Sequence, residues 1–405
     1  VFTVVVTLAL FLIITRIFGI EEFYFYAGLI ALIGHIAVSY LILPIVPYGW
    51  DIGNFHNAAI ALLDGGFPTQ SMPVTSFGTF QGVLYTLFRP NTTVVSVVNS
   101  FLAVLVPIPV VYLTKKLYGD QLTSTRGIVV LLLFLPLPFL FLTIPMREAL
   151  TVFTVFCTLA FIVHLLTEHD AWIGIPLAPL LSAVYLLRPE WGMVILLGSL
   201  AGLTLRLYDT LEIETSFPSL IAAGGILGGI GFTLFAEFMY SFESVNAELS
   251  WRAKGGAVYL DGMQYASWLD FLIAAPGRAI YFQFAPFPLH IESVFHLLAF
   301  VSSLYIIVFV VAAARSLYAC ETDEVVLVTL LVVYLAGITG YGLINSNFGT
   351  NVRHRIPFVF LLIVFAAPVI QRWELAVRQW LGVWPDEHEE DDRQQRETQE
   401  PDGHV

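Results

Sequence analysis

Residues 47 to 92, PYGWDIGNFHNAAIALLDGGFPTQSMPVTSFGTFQGVLYTLFRPNT, form the only long polar-containing interval in the first half of a very apolar chain. Placed on a helical wheel from Asp51, Asn54, Asn57 and Asp64 fall on one side and Ile52, Phe55, Ala59 and Leu62 on the other. Such a segment is expected to lie flat on a membrane surface, apolar side down. Gly65, Gly66 and Pro68 end it, and a second apolar-rich segment, Phe77 to Phe88, runs until Arg89-Pro90 stops it. The interval therefore reads as an outer loop of two interfacial helices, opened by an acid just past a span.

The rest of the chain supports that reading. Of its 405 residues 58% are hydrophobic and 12% charged, with mean hydropathy +0.81. That balance fits a polytopic all-α transmembrane bundle and excludes an ordinary soluble domain. Apolar runs of bilayer length, roughly 17 to 25 residues, fall near 1 to 18, 23 to 46, 94 to 114, 127 to 145, 148 to 166, 171 to 187, 191 to 207, 218 to 240, 293 to 314, 325 to 344 and 356 to 371. About eleven spans are expected, in one membrane domain over 1 to 371. Residues 372 to 405 are expected to form a cytoplasmic acidic tail, largely disordered, because PDEHEEDDRQQRETQEPDGHV carries nine acids against Arg393 and Arg396.

Basic residues set the orientation. Lys115, Lys116 and Arg126 mark the cytoplasmic side, and alternation adds Arg206, Arg315, Arg372 and Arg378 to it. Asp51, Arg147-Glu148, Arg188-Pro189-Glu190, the long loop 241 to 292 and the segment Asn345 to Arg355 then share the outer side. Outer arginines run against the positive-inside bias. Binding of an anion gives them a reason to be there, since guanidinium makes planar bidentate contacts with phosphate. A net charge of -13 with only three lysines fits a high-salt organism, and no nucleic-acid partner is expected.

Several residues carry the chemistry, each with a plainer role beside it. Asp51 is the candidate catalytic acid, able as a general base to take a proton from an acceptor hydroxyl; an N-cap is the plainer role. His56 lies toward the apolar edge of the same helix, where packing is the alternative. Arg147 and Glu148 in IPMREAL stand at a junction of two spans, and Arg188 and Glu190 in YLLRPEWG repeat the pattern; local ion pairs or an anchor beside Trp191 would also account for them. Arg353, His354 and Arg355 in NVRHRIPF suit a lipid-linked phosphate, with snorkelling as the alternative. Arg278 in APGRAIYFQFAPFP is a further phosphate candidate. No metal-ligand spacing joins His290, His296 and His354. Cys157 and Cys320 sit in or beside spans, where no structural disulfide is expected. Asn91-Thr92-Thr93 is a glycosylation sequon, common by chance. No GxGxxG, Walker or GxSxG motif occurs.

LLDGGFP, then FGTFQGVLYTLF, then TVVSVVNSFLAVLVPIPVVYLTKKLYG, and finally RHRIPFVFLLIVFAAPVI resemble, in that order, the C-type polytopic glycosyltransferases. The branch they resemble most is family 39, the dolichyl-phosphate-mannose protein mannosyltransferase-like group. The likeness covers most of 47 to 167 and 345 to 371. It implies transfer of a sugar from a polyprenyl (dolichyl) phosphate carrier to a glycan, lipid or protein acceptor on the extracytoplasmic face of the cell membrane. Asp51 falls where the family has its first-loop catalytic acid, and Arg353 and Arg355 where carrier-phosphate contacts are expected. Related first loops often carry two adjacent acids, whereas Ile52 follows Asp51 here, so a divalent cation stays an open expectation. One more span precedes the acid than is usual in the family. A lipid-linked oligosaccharide polymerase or ligase is the second expectation, and a transporter or flippase the third. The transporter would need ionisable groups at mid-bilayer, where His164 and Glu237 come nearest.

Overall fold

The computed structural model describes residues 1–45, 50–66, 68–211, 224–226, 228–231, 233, 242–253, 257–259 and 262–382. Among them the protein is all-helical, without a strand, and Val258 and Asn347 form an isolated antiparallel bridge. The helices used below are α1 (Phe2–Ile17), α2 (Glu22–Ala37), α3 (Trp50–Leu63), α4 (Met72–Leu87), α5 (Thr92–Leu105), α6 (Pro107–Tyr118), α7 (Arg126–Phe134), α8 (Pro136–Thr143) and α9 (Glu148–Glu168). They continue as α10 (Gly174–Leu187), α11 (Pro189–Thr210), α12 (Phe242–Arg252), α13 (Trp268–Phe284), α14 (Val294–Ala319), α15 (Glu324–Ile344), α16 (Phe348–His354), α17 (Ile356–Phe365) and α18 (Ala367–Trp380).

Six of the described helical stretches are long and apolar enough to cross a membrane, and there are eight if each of two bent pairs counts as one span. This is fewer than the eleven expected from hydropathy. The runs near 1 to 18 and 171 to 187 fold as helices of 16 and 14 residues, short against the ~20 residues that a ~30 Å hydrocarbon core requires. The run near 218 to 240, with Glu237, lies mostly outside the described residues. The run at 127 to 145 is broken, α7 and α8 meeting at 56°, and the run at 356 to 371 is entered through a bend, α16 and α17 meeting at 45° just ahead of it. Proline causes both breaks, because Pro136 and Pro357 stand at the starts of their second helices, where a missing N–H costs nothing.

α17 is the hub. All of its 10 residues, IPFVFLLIVF, are buried, as expected of a helix that is apolar on every face. α15 packs against α11 on one side and α13 on the other, while α9 packs against α5, α6 and α10. Gly198 and Gly202, spaced as GxxxG on α11, let α15 approach closely. A Cβ at Gly198 would stand 2.7 Å from the Thr329 carbonyl oxygen.

Polar contacts gather at two ends of the bundle. At one end Lys116 pairs with Glu168, Arg206 meets His169, and Arg126 lies 3.7 Å from Glu21. Glu374 of α18 accepts from the Ser124 hydroxyl at 2.7 Å and the Gly127 N–H at 2.8 Å, and pairs with Arg378 at 2.7 Å. The segment from 372 was expected to be disordered, yet it is helical through Trp380, because Glu374 docks it on α7. From 383 onward the tail lies outside the described residues. Cys157 and Cys320 are both free thiols.

Candidate functional site

The other end of the bundle holds the acids and arginines that the sequence singled out. α3 keeps the expected amphipathic faces: Asn54, Asn57 and Asp64 are exposed, Phe55 and Ala59 buried. Its apolar face meets α4 of the same loop, where Gly78 leaves room for Ala58 and Phe55 packs edge-on against Phe77 with centroids 4.9 Å apart. The two loop helices thus cover each other. Asp51 sits in the first turn, one residue inside the helix rather than at its cap, where the helix dipole favours a carboxylate.

Asp51 Oδ2 accepts from Arg353 Nη1 at 2.8 Å, and the same nitrogen lies 3.4 Å from Met146 Sδ. The Asp51 side chain is 42% exposed and Arg353 17%, so the pair sits at a mouth. Arg353, His354 and Arg355 straddle the α16–α17 break. Successive helical residues point about 100° apart, and the three go three ways. Arg353 reaches Asp51. His354 is buried beside Tyr341, ring centroids 5.2 Å apart. Arg355 turns into the bundle, donating to the carbonyls of Ala285 at 2.8 Å and Ala299 at 3.2 Å and to the Ser302 hydroxyl.

Behind the mouth the charges are paired in depth. Arg188 Nη2 meets Glu148 Oε1 at 3.1 Å, both side chains buried. Arg252 of α12 stands 3.6 Å from Glu190 and 2.6 Å from Glu248. Trp191, beside which an interfacial anchor was the plainer role for Arg188 and Glu190, is buried and stacked on Phe358 at 4.7 Å, which fixes the turn carrying them. Glu148, Thr151, Arg188, Tyr341, Arg353 and His354 line a cavity of about 10 Å³, room for roughly one water. Glu148 Oε2, Thr151 Oγ1 and His354 Nδ1 are buried there without a hydrogen-bond partner among the described residues.

Arg147 is different. It donates to the Leu187 carbonyl at 3.1 Å and lies over the Phe55 ring at 5.9 Å, but among the described residues no carboxylate is within ion-pair distance of it. Burial, with the Arg188 charge beside it, pulls its guanidinium down to about 9, against the opposing pull of Glu148 and Glu190. It stays a cation at neutral pH, short of counter-charge.

The remaining sequence candidates sit elsewhere. His56 Nδ1 bonds the Tyr85 hydroxyl at 2.7 Å inside the α3–α4 pair, and burial raises Tyr85, opposed by its bond to Gln81. Arg278 is buried and donates to the carbonyls of Gly342 at 2.9 Å and Asn345. Arg278 and Arg355 therefore tie α13 to α15 and α17 to α14, and share no partner with the Asp51 cluster. Asn91 of the sequon caps α5, accepting from Thr93 N at 2.8 Å. Arg252 was missed by sequence reasoning; its i,i+4 spacing to Glu248 was visible, its reach to Glu190 was not. Among the described residues no three His, Cys, Asp or Glu side chains come together as a metal site.

Among the described residues, fold and site together define an all-helical bundle with six to eight candidate membrane-spanning helices, carrying an acid–arginine cluster at one end. Comparison with protein-family models, curated proteins and solved structures gives no match for this chain.

Proposed function

We propose that the protein is an integral membrane glycosyltransferase that moves a sugar from a polyprenyl phosphate carrier to a hydroxyl acceptor on the extracytoplasmic face. The observation that carries this reading is a half-exposed carboxylate, Asp51, held through one oxygen by Arg353 at 2.8 Å, at the end of the bundle where Arg147 has no carboxylate within ion-pair distance among the described residues. Arg353 orients the carboxylate and leaves its other oxygen for substrate.

In the reaction Asp51 takes the proton of the acceptor hydroxyl while that oxygen bonds to the anomeric carbon. The bond from that carbon to the phosphate oxygen breaks, and its electron pair leaves with the carrier phosphate. The charge that develops there is met by Arg147, which needs no reorganisation to receive it. The proton passes from Asp51 to solvent or to the departing phosphate. The Arg188–Glu148 and Arg252–Glu190 pairs hold the two span junctions behind the reacting groups.

The test is direct: purified protein in proteoliposomes, given a panel of short-chain polyprenyl-phosphate hexoses and a crude membrane acceptor. Release of polyprenyl phosphate with appearance of a new glycoside is expected. Turnover of none of the donors would overturn the proposal, and uptake of solute without turnover would replace it with transport.

A further inference from the structure

Beside the acid–arginine cluster lies a second cavity, of about 290 Å³, lined by Ser39, Leu43, Pro44, Ile52, Thr92, Thr93, Ser96 and Pro145. Two of its walls are shared with the site. Ile52 follows Asp51 in the chain, and Pro145 precedes Met146, which touches Arg353 at 3.4 Å. Asn99 fixes that second wall by donating to the carbonyls of Ile144 at 2.6 Å and Met146 at 2.8 Å.

The floor is a buried hydroxyl network. Ser39 Oγ stands 2.9 Å from the His35 carbonyl oxygen, Ser96 Oγ stands 2.6 Å from the Thr143 carbonyl oxygen, and the two hydroxyl oxygens stand 2.7 Å apart. Thr143 Oγ1 continues the network to His35 Nδ1 at 2.5 Å. Each serine has one proton and two lone pairs, and oxygens 2.7 Å apart share a proton, so one serine donates to the other, the second donates to its carbonyl, and lone pairs remain on the oxygens as acceptors. Ser39 stands in a π-helical turn, Val38–Ile42, that ends the span begun by α2, a distortion common at functional sites. Near the rim, the Thr92 and Thr93 hydroxyls make no hydrogen bond among the described residues.

This lining selects its ligand. Among the described residues it has no ionisable side chain, so a phosphate would find no cation there. A hydrocarbon tail would strand the Thr92 and Thr93 hydroxyls, each at a desolvation cost. A polyhydroxylated ring offers donors to the floor and C–H faces to Leu43, Pro44, Ile52 and Pro145. The volume lies at the bottom of the ~300–1,000 Å³ usual for small-molecule sites, which fits one sugar ring rather than an oligosaccharide.

We infer that this cavity is a binding site for a single neutral monosaccharide unit, held by Ser39, Ser96, Thr92 and Thr93. Its use in catalysis rests on the transferase reading, but the binding itself does not. The experiment places a maleimide-reactive probe at the rim by Thr93→Cys, in phosphatidylcholine nanodiscs, with labelling at that position followed by mass spectrometry. Octyl glucoside, galactoside and mannoside below their micellar concentrations are compared with octyl phosphate. At least one glycoside is expected to slow labelling more than threefold, octyl phosphate not to slow it, and a second change, Thr92→Val, to weaken the protection severalfold.

Equal protection by octyl phosphate, protection by none of the glycosides, or protection untouched by Thr92→Val would overturn the inference. So would protection in phosphatidylglycerol nanodiscs to which glycoside adds nothing, since the polyol would then be a lipid headgroup. Protection by a glycoside in a wild-type protein that turns over none of the polyprenyl-phosphate hexoses would uphold the site while removing the transferase reading.

Discussion

Arg353 and Asp51, 302 residues apart in the chain, meet at 2.8 Å and join the first loop to the break before the hub helix. Because Asp51 is 42% exposed, the pair contributes little to stability, about 0–1 kcal/mol. Arg353→Lys removes the planar fork that orients the carboxylate. The expected result is at least a tenfold loss of sugar transfer with a thermal denaturation midpoint almost unchanged; a large drop in that midpoint with normal turnover would mean that the contact is structural.

The Arg188–Glu148 pair, buried at 3.1 Å, behaves in the opposite way. Glu148→Gln leaves a buried guanidinium without its counter-charge, and the loss should be about 3–5 kcal/mol. Denaturation of the detergent-solubilised protein reads it directly. Replacing both partners, Arg188→Met with Glu148→Leu, should recover most of that loss, because an apolar pair carries no unpaired charge.

Among the described residues Arg147 has no carboxylate to lose. Arg147→Gln is expected to leave thermal stability near that of the wild type while raising the KM for the lipid-phosphate donor roughly tenfold, the order of one charge-assisted hydrogen bond. A KM unchanged within twofold would remove Arg147 from phosphate binding.

Arg278 and Arg355 give the complementary contrast. Their donors serve the carbonyls of Gly342, Asn345, Ala285 and Ala299, so Arg278→Lys and Arg355→Lys should lower the yield of folded protein and its denaturation midpoint. The donor KM of the material that does fold should stay within twofold, as measured by turnover per folded molecule.

At the helix contacts, a Cβ at Gly342 would stand 2.5 Å from the Arg278 carbonyl oxygen, whereas one at Gly340 meets nothing within 4 Å. Gly342→Ala should therefore destabilise by about 1–3 kcal/mol, since backbone must shift. Gly340→Ala on the same helix should be neutral or stabilising by up to about 1 kcal/mol. Parallel denaturation of the two variants checks the close approach of α13 and α15.

These contrasts also show what the sequence could express. The faces of α3 were legible because Asn54, Asn57 and Asp64 repeat with helical period against Phe55 and Ala59, and the gathering of Glu148, Arg188, Glu190 and Arg353 at one end was legible from the alternation of apolar runs. Hydropathy overcounted the spans because it ignores that 14 or 16 residues rise less than a bilayer core, and it passed over the bends before Pro136 and Pro357, one inside a run and one at a run's entry. Charge alone placed Arg278 and Arg355 with the phosphate ligands; their partners are backbone carbonyls, which carry no letter in a sequence. Arg252 escaped notice for the converse reason, lying in a polar loop whose fold onto Glu190 is tertiary. The hydroxyl cavity was invisible, since Ser39 and Ser96 are ordinary residues of two apolar runs until the helices are side by side.

The central claim is that Asp51 performs the proton transfer in a single acid–arginine centre. It is tested most directly by Asp51→Asn, an isosteric change that keeps a hydrogen-bond acceptor for Arg353 but removes the basic carboxylate. Sugar transfer from a polyprenyl-phosphate hexose in proteoliposomes should fall by at least 100-fold, on the order of a general base's contribution, with donor binding retained. Transfer at the wild-type rate by Asp51→Asn would contradict the account.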